Sequence, residues 1–287
     1  MNKTIKRKAH TLVNSISYSG IGLHTGADVT ITFFPAPLKT GIIFKRIDLP
    51  GKPLIPATIE YIQGTSRSTN VGYDDIYIHT VEHMLAALKA YQIDNLIIEI
   101  NGIEIPVGNG SSDVFIDLIE KAGVLEQDGD ITSYFIREPI YHTDGEIHLV
   151  ALPSDEYKVS YTLHYPESKA IGSQYIEVDV DIDTFKAEIA SCRTFAKYEE
   201  VSYLMDQGLI KGGSLDNAVI VKDDVVLSKE GLKFPDEMVR HKVLDLIGDL
   251  SLVGYNFIGH IIAIKSGHTS NVAFAKKIFN HIVEIKG

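Results

Sequence analysis

The chain has 287 residues, 45% hydrophobic and 23% charged, a composition that excludes a disordered protein and a length that suits two domains. No apolar run approaches the roughly 18 residues of a membrane-spanning helix, and the single cysteine, Cys192, excludes a disulfide framework and predicts a reducing cytoplasm. The formal net charge of −11 is opposite to that of most nucleic-acid-binding proteins, so no nucleic-acid partner is expected.

The first half of the chain predicts short strands and two helices. Its basic first residues are followed by no apolar stretch, which argues against a secretory signal. Strands are expected where apolar residues alternate or cluster, at 29–33, 41–44 and 95–100. Helices are expected over 80–91, with Thr80 as the N-cap, and over 112–122, after the glycine-containing loop 108–111.

A polar, glycine-containing segment at 125–130 follows the second helix, and we place a domain boundary there, giving domains 1–128 and 129–287. The second half opens with a predicted hairpin of strands 134–141 and 147–152. Further strands are expected at 157–163, 175–180, 218–221 and 259–265, and helices near 184–190, 199–207, 236–253 and 271–283.

A weak internal repeat relates the two halves. Each contains a helix that starts near a histidine, then an apolar strand, a loop with glycine and a closing helix. The fold class predicted is therefore α+β, with two similar domains, each a mixed sheet with two main helices and a small insertion. The helices of the two domains would pack at their interface, which is a common place for a binding site.

The helix predicted over 236–253 carries a polar group on an otherwise apolar segment. His241 and Asp245 are four residues apart and share one face, which Asp249 continues. Such a face is either solvated or able to supply two metal ligands. Gly248 lies on the same face at a cost of about 1 kcal/mol in helix propensity relative to alanine, so we expect another element to pack closely there.

Candidates for a third metal ligand and for a proton-transfer group lie elsewhere in the chain. His83, near the start of the first-half helix, can complete a metal site with His241 only if the two halves meet. Glu82 beside it is either a general base near a metal-activated water or an acid that stabilises a helix N-terminus. His268 follows a strand, as a catalytic loop residue or an ordinary exposed histidine.

The chain resembles the UDP-3-O-acyl-N-acetylglucosamine deacetylase family, the zinc amidases that commit bacteria to lipid A synthesis. The resemblance covers nearly the whole chain. It rests on segments in the family's order: 19–26, 80–83, 193–195, 212–214, 239–245 with 248–250, and 265–268. Several long motifs in the right order are far more specific than any one of them.

The resemblance implies a zinc-dependent hydrolysis of the substrate's N-acetyl group. His83, His241 and Asp245 would be the three zinc ligands, with one position left for water. Glu82 would take a proton from that water as it attacks the acetamide carbonyl.

The same resemblance implies how the developing charge is handled. The Thr194 hydroxyl and the metal would stabilise the oxyanion. His268, with Asp249 tuning its charge, would stabilise the intermediate and protonate the departing amine.

The acylated UDP-sugar substrate requires a basic cluster and an apolar passage. Lys242 and Lys265 are the candidates for binding the diphosphate, and Phe195 for stacking on uracil. The family's insertion, about 196–218, would form the passage for the acyl chain, and 65–79 is a stretch where the family varies. His24 belongs to a family motif, and no role is assigned to it.

Two other classes of protein compete with this interpretation. A non-catalytic nucleotide-sugar or lipid-binding module would hold a structural zinc and have no use for Glu82. A phosphotransferase would need a glycine-rich phosphate loop, and the P-loop pattern is absent from the sequence. We expect the enzyme to be a cytoplasmic monomer.

Overall fold

The computed structural model describes residues 4–286. The first half contains the following elements: β1 (Thr4–Leu12), β2 (Ile16–Ile21), β3 (Asp28–Pro35), β4 (Ile42–Arg46), β5 (Leu54–Pro56), a 3₁₀ turn (Ile59–Tyr61), β6 (Ile62–Gly64), β7 (Asn70–Tyr73), β8 (Ile76–Ile78), α1 (Glu82–Ala90), β9 (Leu96–Ile100) and α2 (Asp113–Ala122). Both predicted helices and all three predicted strands of this half are confirmed, with ends shifted by one or a few residues.

The second half is longer and contains more helix. Its elements are β10 (Val124–Phe135), β11 (Ile140–Asp144), β12 (Ile147–Leu152), β13 (Lys158–Tyr165), β14 (Gly172–Asp179), α3 (Ile182–Thr184) with a π-helical turn (Phe185–Ile189), β15 (Phe195–Lys197), α4 (Tyr198–Asp206), β16 (Val219–Lys222), β17 (Val225–Leu227), α5 (Glu237–Ser251), β18 (Asn256–Ile258), β19 (His260–Ile264) and α6 (His268–Lys286).

Each half contributes a five-stranded mixed sheet, and the two sheets have the same topology. The strand order is β2-β3-β9-β4-β5 in one and β11-β12-β19-β13-β14 in the other. In both, the third strand is parallel to the fourth, and all other neighbours are antiparallel. The α+β fold class and the internal repeat are therefore confirmed.

The helices form a layer that the two sheets enclose. Helices α1 and α5 pack against each other, α2 contacts α1 and β2, and α6 contacts α5, β11 and β12. Almost all of α1 and twelve residues of α5 are buried, on every face of each helix. A helix buried on all sides belongs to the centre of a domain core, so this pair joins the two halves.

Each half carries an insertion at the equivalent place, between the fifth strand of its sheet and its first long helix. In the first half it holds the antiparallel sheet β6-β7-β8, and in the second half the sheet β15-β16-β17 with α4. The metal-ligand candidates are therefore on the repeated helices, whereas the insertions lie beside them.

Two predicted elements of the second half differ in extent from those observed. The strand predicted over 134–141 is divided, because β10 ends at Phe135 and β11 starts at Ile140. The final helix begins at His268, three residues earlier than predicted, so His268 lies in a first helical turn rather than in a loop.

The polar segment 125–130 lies within β10, which pairs with β1 on one side and with β18 on the other. The boundary between domains 1–128 and 129–287 stays a prediction, and β10 joins strands from both of them. In residues 4–286, no helix combines the length and the apolarity needed to span a membrane.

Candidate active site

Helix α1 places Glu82 and His83 in its first turn, at the centre of the molecule. Thr80 does not cap this helix as predicted: its φ of 59° is left-handed, and its hydroxyl donates to Glu104 Oε1 at 3.2 Å. Val81 is the N-cap instead, without a side-chain cap. The buried carboxylate of Glu104 competes successfully for the hydroxyl that would otherwise bond to the helix.

His83, His241 and Asp245 meet at the contact between α1 and α5. Their candidate ligand atoms lie within 4.8 Å of one another. Asp245 Oδ1 is 3.3 Å from His241 Nε2 and 3.5 Å from His83 Nε2. His241 and Asp245 are each only 2% exposed, which excludes the solvated polar face that the sequence left open.

The protonation of this group suits a divalent cation. His241 Nδ1 donates to the carbonyl oxygen of Cys192 at 3.0 Å, which leaves Nε2 as the free acceptor. Burial lowers the pKa of His241 to about 4, so its imidazole is neutral at pH 7. Asp245 Oδ1 is buried and has no hydrogen-bond donor. The neutral imidazole of His241, the ring of His83 and the orphaned carboxylate oxygen of Asp245 are a donor set that zinc accepts.

Gly248 explains how α1 and α5 come close enough to share these ligands. A Cβ at this position would lie 2.1 Å from the carbonyl oxygen of Glu82. The close approach predicted for Gly248 is thus the contact with the first turn of α1.

A second group, next to the first, consists of Glu82, His268 and Asp249. His268 Nδ1 donates to Asp249 Oδ2 at 3.0 Å, and its Nε2 is 3.7 Å from Glu82 Oε1. Asp249 is fully buried, one turn after Asp245 on the same face of α5. The His268 ring therefore lies between two carboxylates, one from each half of the chain.

Burial and neighbouring charges shift the pKa values of His268 and Glu82 in opposite directions. Burial disfavours the imidazolium form of His268, but Asp249 and Glu82 outweigh it and raise the pKa of His268 to about 9. Burial raises the pKa of Glu82 above its usual value, and the nearby histidines limit that rise. His268 is thus suited to donate a proton at neutral pH, and the raised pKa of Glu82 makes its carboxylate a stronger base.

Thr194 and Phe195 are held beside the metal-ligand group by contacts with both halves. The Thr194 N–H donates to the carbonyl oxygen of Gly110 at 2.8 Å. Gly110 has a φ of 84° and could not carry a Cβ, which would lie 1.9 Å from the Asn217 carbonyl oxygen. The Phe195 ring is 6.4 Å from the His241 ring, edge to face.

These groups open into one cavity of about 660 Å³. One wall is apolar and comes from the predicted insertion; it includes Val201, Leu204, Met205, Leu209, Ile210 and Leu215. The catalytic candidates Glu82, Thr194 and His268 and all three metal-ligand candidates also line it. His24 lies in the wall as well, with both ring nitrogens buried and unpaired.

The two lysines predicted to bind substrate are placed differently. Lys242 lines the cavity, where its Nζ donates to Asp245 Oδ2 at 2.9 Å and lies 5.6 Å from the centre of the Phe195 ring. Lys265 does not line it, and its Nζ donates to Glu146 Oε2 at 2.5 Å.

Sequence reasoning missed several residues of the site. Arg67 and Lys211 add positive charge to the cavity wall. Thr69 contacts both Glu82 and Asp249, and Glu104 accepts hydrogen bonds from the N–H groups of His24 and Thr25. Arg67 and Thr69 lie in the segment 65–79, where the variability of the family was the only signal.

Known proteins resemble this chain over nearly its whole length. The model of a family described as "LpxC: UDP-3-O-acyl N-acetylglycosamine deacetylase" matches residues 9–280. A UDP-3-O-acyl-N-acetylglucosamine deacetylase of Chlamydia pneumoniae is 49% identical over 96% of this chain and 98% of its own. Proteins of the same name from Chlamydia abortus and Chlamydia felis are 50% and 48% identical, over 96% and 97% of this chain and 98% and 99% of theirs. The chain belongs to the UDP-3-O-acyl N-acetylglycosamine deacetylase family.

Proposed function

We propose that the protein hydrolyses the N-acetyl group of UDP-3-O-acyl-N-acetylglucosamine to the free amine and acetate, the committed step of lipid A biosynthesis. Its membership of the deacetylase family supports this activity. The observation that carries it in the structure is the buried His83, His241 and Asp245 group, which shares one cavity with Glu82 and His268.

The metal proposed is zinc, held by His83 Nε2, His241 Nε2 and Asp245 Oδ1. When bound, it would supply hydroxide from water at neutral pH and polarise the acetamide carbonyl. The hydrogen bond from His241 to Cys192 fixes that ring with Nε2 toward the site. Lys242 holds the other oxygen of Asp245 and leaves Oδ1 free.

The remaining residues move protons and bind charge. Glu82, buried and beside the metal site, accepts a proton from the attacking water. As water adds to the acetamide carbon, the carbonyl oxygen becomes an oxyanion, and the Thr194 hydroxyl on the cavity wall donates to it. His268, kept as imidazolium by Asp249, then gives its proton to the departing amine.

The anionic substrate needs positive charge in an acidic protein. Lys242 is the candidate next to the catalytic groups, and Phe195 beside it offers a ring face to the uracil base. Lys265 would contribute only if the diphosphate displaced Glu146 from it. Arg67 on the cavity wall adds a further cation, although it is paired with Glu200 at 2.6 Å.

The acyl chain is assigned to the apolar wall formed by the insertion at about 196–218. Ile210 supports a specialised role for this wall, because its φ of 51° is a conformation that β-branched residues rarely adopt. The backbone cost indicates that the position is held by its surroundings to present this side chain.

We also propose that the enzyme is a cytoplasmic monomer. Its one cysteine, Cys192, is buried and free, as is usual in a reducing compartment. Light scattering of the purified protein would measure a mass corresponding to one chain.

The experiment that tests the function is release of acetate from the acylated UDP-sugar, with and without a chelator. We expect release that the chelator abolishes and that added zinc restores. The competing interpretation, a binding module with a structural zinc, predicts substrate binding without acetate release. Binding without turnover by the zinc-loaded protein would therefore reject the proposed enzyme.

A further inference from the structure

Thr69 lies at the meeting point of the first-half insertion with α1 and α5. It is fully buried and stands in the loop immediately before β7. Its hydroxyl donates to Asp249 Oδ1 at 2.5 Å, and its backbone N–H donates to Glu82 Oε2 at 3.0 Å. One residue thus holds both carboxylates that flank the His268 ring.

These contacts close a ring of four residues. Thr69 bonds Glu82 and Asp249, His268 Nδ1 donates to Asp249 Oδ2, and His268 Nε2 lies 3.7 Å from Glu82 Oε1. Asn271 shares Asp249 Oδ2 with His268, at 2.9 Å. Thr69 therefore holds the other oxygen of Asp249, so the carboxylate cannot rotate without breaking that bond.

We propose that Thr69 is a positioning residue for the deacetylation reaction. Its hydroxyl fixes Asp249 so that Oδ2 faces His268 Nδ1, and thereby directs His268 Nε2 toward Glu82 and the cavity. Because an ionised carboxylate only accepts hydrogen bonds, the single hydroxyl proton must point at Asp249. Hydrogen bonds to a charged acceptor are among the strongest in proteins. Without this donor, Asp249 Oδ1 would be buried and unsatisfied, and the carboxylate would turn toward another partner.

The proposal rests on the proposed function and is tested first by kinetics. Thr69→Val removes the hydroxyl at almost constant volume and keeps the backbone N–H that Glu82 uses. We expect kcat to fall about 10- to 100-fold, as for other supporting residues of metal sites, while KM changes less than about twofold. Thr69→Ser keeps the donor and should retain kcat within about threefold of wild type.

A double-mutant cycle separates positioning from general structural support. If Thr69 acts through His268, then Thr69→Val introduced into the His268→Ala variant should change the residual kcat less than about twofold. The same fold loss in both backgrounds would overturn the proposal, as would full activity of Thr69→Val or a serine variant as slow as the valine one.

A crystal structure of Thr69→Val supplies a measurement that does not depend on turnover. We expect the distance between His268 Nδ1 and Asp249 Oδ2, 3.0 Å here, to lengthen as the carboxylate rotates. An unchanged contact would reject the role of Thr69 even if the wild-type protein released no acetate. Absence of acetate release by the wild type would reject the proposed function instead, so the two failures are distinguishable.

Discussion

Lys242 and His268 are partly buried cations, and each is paired with a buried carboxylate of α5. Lys242 bonds to Asp245 at 2.9 Å and His268 to Asp249 at 3.0 Å. Removing one partner of such a pair leaves an uncompensated charge in the interior, which costs far more than the loss of an exposed pair. Substitutions that keep shape and change one atom are therefore the informative ones at this site.

Glu82→Gln replaces the proposed base at constant shape. We expect turnover to fall about 10²- to 10⁴-fold, because an amide cannot accept the proton from the attacking water. Zinc content, measured by mass spectrometry, should remain close to one ion per chain, since the ligands are other residues. The exposed Glu126→Gln is the matched control, and it should behave like wild type. A fully active Glu82→Gln would remove the general base from the mechanism.

The pH dependence of kcat/KM should be bell-shaped. Glu82 works as the carboxylate, so the rate falls as pH decreases through a pKa that burial raises above 4.5. His268 works as the imidazolium, so the rate falls as pH increases through its pKa of about 9. Asp249→Asn removes a charge that raises the latter pKa and should move the alkaline limb to lower pH. An alkaline limb that stays in place would contradict the assignment of His268.

At the scale of elements, the site depends on how closely α5 approaches the first turn of α1. The contact is backbone against backbone, since the Glu82 carbonyl oxygen occupies the space of a side chain at Gly248. Because a protein interior is close-packed, any displacement of α5 at this contact would be transmitted to the residues around it. The spacing of the proposed metal ligands therefore depends on Gly248, although this glycine binds nothing itself.

Gly248→Ala tests this contact, because helix propensity and packing predict changes in folding stability of opposite sign. Helix propensity alone would stabilise α5 by about 1 kcal/mol, whereas the clash forces the helices apart and should destabilise the fold by about 3 kcal/mol. Denaturant unfolding measures the difference, and zinc affinity should weaken with it. Gly267→Ala is the control, since a Cβ there meets nothing within 4 Å. Equal stability of the two variants would contradict the packing argument.

Helix α4 tests the proposed acyl wall. Met205 lines the cavity yet is 64% exposed, so Met205→Glu should fold normally. Loss of its apolar contact should raise KM for the acylated substrate about fivefold, or roughly 1 kcal/mol, and leave kcat unchanged. Ser202→Glu adds the same charge at an exposed position that does not line the cavity. Equal effects of both substitutions would indicate charge rather than acyl binding.

How much of the site could be predicted depends on how far apart in sequence the contacting residues lie. His241 and Asp245 could be paired from sequence because a helix alone sets their spacing. His83, 158 positions earlier, joined them through the family resemblance and the expectation that the halves meet. Thr69 and Glu104 escaped prediction, because their importance comes from partners that only the folded chain brings within hydrogen-bond distance.

For the whole molecule, the proposed metal site would couple metal binding to the assembly of the two halves. His83 comes from the first half, and His241 and Asp245 come from the second. An ion that binds only when these residues meet stabilises the folded state over the unfolded chain.

Metal removal should therefore lower the thermal midpoint. Free zinc at 100 times its Kd contributes about 2.7 kcal/mol, which corresponds to roughly 5–10 °C for a chain of this size. Calorimetry of the chelated and reloaded protein measures this shift. In His83→Ala, which retains only two ligands, zinc should change the midpoint much less. If neither the chelator nor His83→Ala changes the thermal midpoint, that result would argue against a metal held between the halves.

The position of the two insertions has a consequence for how this family diversifies. Both leave the repeated scaffold at the same connection, just before the helices that carry His83 and His241. Mutations that lengthen, shorten or reshape these insertions can thus accumulate while helices α1 and α5 stay in place. Where the second insertion binds the acyl chain as proposed, relatives can in this way adapt to lipids of different length while keeping the same reaction chemistry.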